Sequence, residues 1–380
     1  MDQLSLGVLA TSRKENESRL PLHPRHLDQI DADLRARIYL EQGYGEKFGY
    51  PDEALAPLVA GIDSAEAIFA ERDVVLLPKP TLADAQRLSR GQVLWGWPHA
   101  VQDTELTQVA IDNKLTLIAW EAMNIWKASG EFSLHVFHMN NELAGYCSVL
   151  HAMTLIGSTG TYGRQLNAAV IGFGNTARGA INALQALGIH DVTVLTMREV
   201  AAVASPIPTV VLEHLDRDVA DSSRTFIETT GGDISAAQYL SKFDIVVNCV
   251  LQDTDAPMMF VTNEDLALFS TGTLFVDVSC DLGMGFEFAR PTTFEDPTFD
   301  VGHGMSYYAV DHSPTYLWNS ATWDISESLL PYLRSVMSGP TAWEADATIS
   351  RAIEIRDGVI ANPKILSFQN RVEVYPHARR

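Results

Sequence analysis

Short apolar runs alternate with amphipathic, helix-length stretches along almost the whole chain, and that pattern leaves few ways to arrange its strands. Leu4–Ala10, Val74–Leu77, Val93–Trp97 and Leu115–Trp120 are such runs, with Thr81–Ser89 and Asp103–Asn113 as helical stretches between them. A run that is apolar at every position, not at alternate ones, reads as a strand buried on both faces. An intervening helix supplies the crossover that parallel strands require. Residues 1 to about 136 are therefore expected to form an α/β layer on a parallel sheet. A second series begins near Asn140, with strands expected over Leu166–Gly172, Val192–Leu195, Asp244–Val250, Thr273–Val278 and Tyr307–Val310, and a helix over Thr176–Leu187. Glu199–Ser223, with Pro206 and Pro208, fits neither period and reads as an irregular insertion. After about Trp318 the pattern turns helical, with Ser326–Met337 and Glu344–Ile355 as candidate helices that return to complete the first domain.

At roughly 100–200 residues per domain, 380 residues make two. The expected division is 1–136 with 319–380 as one domain and 137–318 as the other, with a cleft between them. Lys+Arg number 27 against Asp+Glu 48, a net charge of −21. So acidic a chain is a poor match for nucleic acid or an anionic membrane surface, which need clustered Lys and Arg. No apolar run approaches the roughly 18–20 residues that cross a bilayer. The opening MDQLSLGVLATSRKE lacks a basic segment before an apolar one, so no secretory signal is expected and the protein is expected to be cytoplasmic. Cys147, Cys249 and Cys280 are far apart, which suggests neither a disulfide framework nor a zinc site; no metal is expected.

The most specific motif is Gly172-Phe-Gly174-Asn175-Thr-Ala177, which follows on the apolar strand Asn167–Gly172 and opens a helix. This is the context of the dinucleotide fingerprint of a Rossmann domain. Gly172 permits the tight turn, Gly174 lets backbone approach a pyrophosphate, and Ala177 lets helix pack closely on strand. The helix N-terminus then presents N–H groups to the phosphates. At the end of the next strand an NAD-binding chain usually carries Asp or Glu for the ribose 2′-OH. Here Thr196, Met197 and Arg198 stand there, and Arg198 can pair with a 2′-phosphate. NADP(H) is therefore expected over NAD(H), although Glu199 follows directly. Asn141 and Val250 are further cofactor candidates.

Arg19, Lys79 and His99 each follow an expected strand, where open α/β sheets place their ligand sites. Arg suits a carboxylate, while Lys and His transfer protons. A solvated Lys and a purely structural His are the ordinary alternatives, and Arg13, Lys14 and Arg25 compete for the carboxylate. Asp281, in Asp277-Val-Ser-Cys280-Asp281, should face the nicotinamide end or else stabilise a Gly-rich turn. Asn140 and Asn141 either touch cofactor or cap a helix. Trp95 and Trp97 either wall a site or pack in the core.

In order along the chain, Glu17-Ser-Arg19, Pro78-Lys79-Pro80, Trp97-Pro98-His99, Gly172-Phe-Gly174, Asp277-Val-Ser-Cys-Asp281 and Arg290-Pro-Thr-Thr293 resemble the alanine dehydrogenase/pyridine nucleotide transhydrogenase family over residues 5 to 335. Gly43–Gly49, Gly91–Gln102, Ile118–Glu121 and Asn140–Gly145 look like its N5-(carboxyethyl)ornithine synthase branch. The resemblance implies a flavodoxin-like α/β substrate domain completed by C-terminal helices, a Rossmann domain and a homo-oligomer. It implies NADPH-dependent reductive condensation of pyruvate with the side-chain amine of ornithine or lysine. It places Arg19 on the pyruvate carboxylate, Lys79 and His99 at the ketone, and Asp281 near the nicotinamide. Family members usually carry Asn where this chain has Asp311-His312, so Asp311 is expected to meet the cationic donor, with Glu142 beside it as a looser candidate. Alanine dehydrogenase, lysine dehydrogenase and a non-catalytic dinucleotide-binding subunit remain the alternatives.

Overall fold

The computed structural model describes residues 3–10, 12–197, 207–218, 221, 223–229 and 231–380. The chain divides into two compact units, Met1–His138 with Trp318–Arg380, and Met139–Leu317.

In the first unit, β1 (Leu6–Val8), β2 (Ile38–Glu41), β3 (Gly61–Asp63), β4 (Val74–Leu76), β5 (Val93–Gly96) and β6 (Thr116–Ala119) pair in parallel in the order β3-β2-β1-β4-β5-β6. β1, β4, β5 and β6 are buried at every position, which is why each reads as an unbroken apolar run. β3, half-buried at the edge and written Gly-Ile-Asp, carries no such signal. Without it the order is flavodoxin-like. The connections reverse direction between β1 and β4, and in open α/β sheets the carboxyl ends at that reversal bound the ligand crevice. Trp95 and Trp120 fill the core beneath it, edge to face at 6.5 Å. An exposed hairpin of β7 (Asn124–Trp126) and β8 (Phe132–His135) follows.

The second unit holds β9 (Asn167–Ile171), β10 (Asp191–Thr196), β11 (Val210–Arg217), β12 (Thr225–Ile227), β13 (Ile234–Ser235), β14 (Ile245–Asn248), β15 (Met259–Val261), β16 (Leu274–Asp277), β17 (Gly285–Phe286), β18 (Thr298–Asp300) and β19 (Ser306–Tyr308). Its main sheet runs β13-β12-β11-β10-β9-β14-β16-β19-β18, and β15 and β17 pair separately. The six parallel strands β11-β10-β9-β14-β16-β19 have the doubly wound order of a dinucleotide fold. One expectation is corrected here. Residues 210–217 of the supposed irregular insertion form an eight-residue strand parallel to β10. Its sequence, Val-Val-Leu-Glu-His-Leu-Asp-Arg, buries only Leu215 fully, so it lacks the apolar run that marks an interior strand.

The chain then returns to the first unit through the helices Trp318–Leu329 and Leu333–Met337, separated by a turn at Pro331. Helices Pro340–Ala345 and Ala347–Ala352 follow. The expected helix Glu344–Ile355 is also corrected: residues 353–356 are β20 (Ile353–Arg356), antiparallel to β6 and paired in turn with β21 (Val359–Ile360). Ile353 and Ile355 are β-branched and alternate with polar residues, and the free edge of β6 supplies the partner. Among the described residues, no helix is long and apolar enough to cross a membrane.

Candidate functional site

In the first unit, four neighbouring strands each deliver one polar residue past their carboxyl ends. Arg19 follows β1, Lys79 follows β4, His99 follows β5, and Glu121 lies in the turn Trp120–Ala122 directly after β6. Backbone pairing continues beyond β4 and β5. Leu77 N–H donates to the Trp95 carbonyl at 3.1 Å, and Trp97 N–H to the Pro78 carbonyl at 3.0 Å. Gly96 is required at this approach, because a Cβ there would run into the Leu77 carbonyl. The two loops are thereby held side by side, and Lys79 Nζ lies 2.9 Å from His99 Nε2.

His99 sits in the left-handed region at φ 48° and donates its backbone N–H to Glu121 Oε1 at 2.7 Å. The same oxygen lies 4.0 Å from His99 Nδ1. An ammonium can only donate, so a charged Lys79 requires the lone pair on Nε2 and places the imidazole hydrogen on Nδ1, the side that Glu121 occupies. Burial, reinforced by the nearby Glu354 carboxyl, holds Glu121 well above the usual carboxylate range. Glu121 Oε2 is buried without a hydrogen bond. In the sequence Glu121 closes the segment Ile118–Glu121, and its one signal there is its place just after a buried strand.

Arg19 is buried and forks onto a carboxylate from its own loop. Its Nε donates to Glu17 Oε1 at 2.8 Å, and its Nη2 lies 2.5 Å from Glu17 Oε2. Its guanidinium stands 5.1 Å from the Trp97 ring centroid. A substrate carboxylate binding along that guanidinium edge must compete with Glu17. Of the competing cations, Arg25 reaches Tyr50 Oη at 3.0 Å, and Arg13 donates its backbone N–H to Asp84 Oδ2 at 3.3 Å. Trp95 and Trp97 are core residues.

In the second unit, β9 runs into Gly172 at φ 98°, a conformation that strains any L side chain. A Cβ there would meet Val250 Cγ2 and the Cys249 carbonyl at 3.4 Å, so Gly172 and Val250 face each other closely. Gly174 caps the helix Asn175–Ala186 with no side-chain hydrogen bond to the first turn, and a Cβ on Gly174 would point into open space. Ala177 is fully buried beneath that helix. Uncapped N–H groups facing open space at a left-handed turn are what a pyrophosphate needs, and these residues fit a dinucleotide.

The helix His138–Leu155, with Asn141 in its first turn, braces the fingerprint helix from behind. A Cβ on Gly145 would land on the Thr176 carbonyl, and one on Gly179 on the Glu142 carbonyl. The small residues let the two helices touch backbone to backbone. Glu142 Oε1 accepts from Asn182 Nδ2 at 3.0 Å.

Thr196 is buried at the end of β10, and Arg198 lies outside the described residues. Along the other side of β9, Asp277 at the end of β16 is wholly buried and ties the following loop. Its Oδ1 accepts from Asn248 Nδ2 at 3.0 Å and from the backbone N–H of Ser279 at 3.1 Å and Cys280 at 3.3 Å; its Oδ2 accepts from Tyr307 Oη at 2.8 Å. Burial pushes Asp277 up to about 7. Cys280, at φ 59°, turns the chain into Asp281, which burial pushes up to about 6. Ser279 Oγ reaches the Val250 carbonyl at 2.5 Å, so the loop carrying Asp281 is tied to the loop after β14. Asp277 was visible as part of the motif, but its role as the tie became legible only from its partners. Asp311 Oδ1 lies 2.6 Å from Nδ1 of the buried His312, so the residue expected to greet a cationic donor already holds an imidazole.

The chain matches the family models described as Alanine dehydrogenase/PNT, N-terminal domain, over residues 7–144, and Alanine dehydrogenase/PNT, C-terminal domain, over residues 144–363. It is 24% identical to an alanine dehydrogenase of Mycolicibacterium smegmatis, covering 94% of this chain and 95% of that one. It is 26% identical to an N(5)-(carboxyethyl)ornithine synthase of Clostridium botulinum, covering 87% and 94%. Among solved structures it resembles an L-alanine dehydrogenase, with a TM-score of 0.73, 20% identity and 96% and 99% coverage. It also resembles a transhydrogenase from Sinorhizobium meliloti, with a TM-score of 0.69, 19% identity and 94% and 99% coverage.

Proposed function

The chain belongs to the alanine dehydrogenase/PNT family, and from that premise we propose that it condenses pyruvate, or a close 2-oxo acid, with the side-chain amine of ornithine or lysine in an NADPH-dependent reduction. It is an oxidoreductase acting on amino-group substrates, and its family binds a nicotinamide dinucleotide. The observation that carries the reading is the 2.9 Å contact between Lys79 and His99 at adjacent strand ends.

In this reading Lys79 donates a hydrogen bond to the ketone oxygen while the amine adds to the ketone carbon. The resulting carbinolamine loses water when the lone pair of His99 Nε2 takes the proton from its nitrogen and passes it to its hydroxyl; the C–O bond breaks, water leaves and the imine forms. Glu121 holds the His99 loop by its backbone N–H and faces Nδ1, which keeps the imidazole oriented toward Lys79. Arg19, steered by Glu17 and seated on Trp97, orients the 2-oxo acid carboxylate. The bound reduced dinucleotide supplies the hydride. Gly172, Gly174, Asn175 and Ala177 shape the pyrophosphate turn, Val250 lines its far side, and Asn141 stands in the helix behind. Asp281 stands at the nicotinamide end. Two observations support NADPH and a diamino acid donor. The described tip of β10, Thr196-Met197, carries no carboxylate, and Asp311, paired with His312, puts an acidic group where the resemblance implies an amide.

The test is oxidation of NADPH by pyruvate with ammonia, ornithine, lysine or other amines, with the product identified by mass. The reading expects turnover and an N-(carboxyethyl)amino acid with ornithine or lysine. Alanine formed best from ammonia would replace it with alanine dehydrogenase, the second reading, which the similarity to the mycobacterial enzyme favours. Net oxidation of lysine would instead make it a lysine dehydrogenase.

A further inference from the structure

The strand pair β11–β12 lies one strand in from the edge of the second unit's sheet, and its register is Leu215 opposite Ile227, Asp216 opposite Phe226, and Arg217 opposite Thr225. Extending that register by one residue places His214 opposite Glu228, and the Glu228 N–H does donate to the His214 carbonyl, at 3.2 Å. Side chains alternate along a strand, so His214 and Asp216 share a face, and Glu228 joins them from across the ladder. The opposite face is anchored by Leu215 and Ile227, both buried in the core. One imidazole and two carboxylates therefore converge on a backed, two-stranded ladder, and one ligand atom from each lies within 4.8 Å of the others.

That convergence is costly without a counterion, because carboxylates brought together on one sheet face repel. Among the described residues, no Lys or Arg forms an ion pair with Asp216 or Glu228. The one polar contact given for either side chain is the bond from the Arg217 N–H to Asp216 Oδ1, at 2.8 Å.

We propose that His214, Asp216 and Glu228 form a binding site for one divalent transition-metal cation of the zinc class, on the strand next to β10, where His214 lies in register with Thr196. The donor set decides the class. Calcium and magnesium favour all-oxygen shells of six or more ligands, whereas an imidazole with two carboxylates suits zinc and leaves a fourth position for water. In a tetrahedral site with metal–ligand distances of about 2.0–2.2 Å, ligand atoms lie roughly 3.3–3.6 Å apart. Rotation of Glu228, exposed and beyond the end of β12, closes the gap. Glu228 belongs to the chain leaving β12 and His214 and Asp216 to β11, so the ion would staple the two together.

The protein is stripped with EDTA and titrated with Zn2+ by calorimetry, in parallel with His214→Gln, Glu228→Gln and the double variant. Co2+ serves as a spectroscopic probe. The expected result is one saturable Zn2+ per chain, at least tenfold weaker in each single variant and absent in the double variant, with tetrahedral Co2+ absorption lost in step. Far-ultraviolet circular dichroism and the apo melting temperature show whether the variants still fold, and each affinity is compared at matched folded fraction. Zn2+ binding of equal strength in the double variant would place the ion elsewhere and overturn the proposal. No saturable binding by the unaltered protein would do the same, as would equal binding of Mg2+ that His214→Gln leaves untouched.

Discussion

Lys79 and His99, 20 positions apart in sequence, have their polar ends 2.9 Å apart. Lys79→Ala and His99→Ala are each expected to lower kcat by about 10²–10⁴, the usual span for general acid–base groups. Dinucleotide affinity, measured by fluorescence titration, should stay within about twofold, because the fingerprint residues belong to the other unit. Full turnover at saturating substrate in either variant would remove that residue from the mechanism. A second residue-scale prediction concerns the ribose end of the cofactor. A charge-assisted contact is worth about 1.5–3 kcal/mol, so Arg198→Ala should weaken NADPH by roughly tenfold to a hundredfold and leave NADH nearly unchanged. Equal loss for both cofactors would show that Arg198 does not contact a 2′-phosphate.

At the scale of elements, the fingerprint turn depends on how its helix packs against another. The helix Asn175–Ala186 approaches the helix His138–Leu155 so closely that neither Gly145 nor Gly179 has room for a Cβ. Gly179→Ala must push the helices apart against buried Ala180, Ile181 and Leu184. The cost of such overpacking is about 1–3 kcal/mol. Because the displaced helix carries the uncapped N–H groups, dinucleotide affinity should fall along with the melting temperature. Gln185→Ala, on the same helix but away from the crossing, serves as the control and should change neither by much. If Gly179→Ala melted lower yet bound dinucleotide as tightly as before, the crossing would support the fold alone.

For the whole molecule, stability must depend on pH through its buried carboxyls. Asp277 is raised from 3.8 to about 7 by burial, so between those values the folded protein keeps a proton that the unfolded chain releases. Its contribution is fully present below about pH 4 and is lost as pH rises through 7. His23 works the other way. Burial lowers it from 6.5 to about 4, so its contribution is present above 6.5 and is lost as pH falls through 4. The two slopes oppose each other between pH 4 and 6.5, so Asp277 is read from a difference. Asp277→Asn keeps the shape of the neutral acid and removes the titration. Urea unfolding of both proteins from pH 4 to 8 should show the unaltered chain losing ground to the variant as pH rises, by up to about 1.4 kcal/mol per pH unit. A difference independent of pH would mean that Asp277 titrates as an ordinary carboxyl.

Much of this protein was legible in its sequence. Buried parallel strands are apolar along most of their length, so β1, β4, β5, β6, β9, β14 and β16 announced themselves, and Gly172 and Gly174 marked the phosphate turn by a backbone need that only certain residues meet. Local chemistry was enough for these, because each requirement is satisfied within a few residues. β11 and β20 were not legible, since a strand that mixes polar with apolar residues takes its stability from the strands on either side and carries little apolar signal of its own. The partners of the candidate residues were equally hidden. That Lys79 meets His99, that Glu121 lies behind His99, that Glu17 occupies the guanidinium of Arg19, and that Asp277 ties the loop before Asp281 all depend on strand order. Sequence periodicity shows that a segment is a strand; only the tertiary structure decides which strand lies beside it, because that choice maximises the apolar surface buried by the whole sheet and not by any one segment.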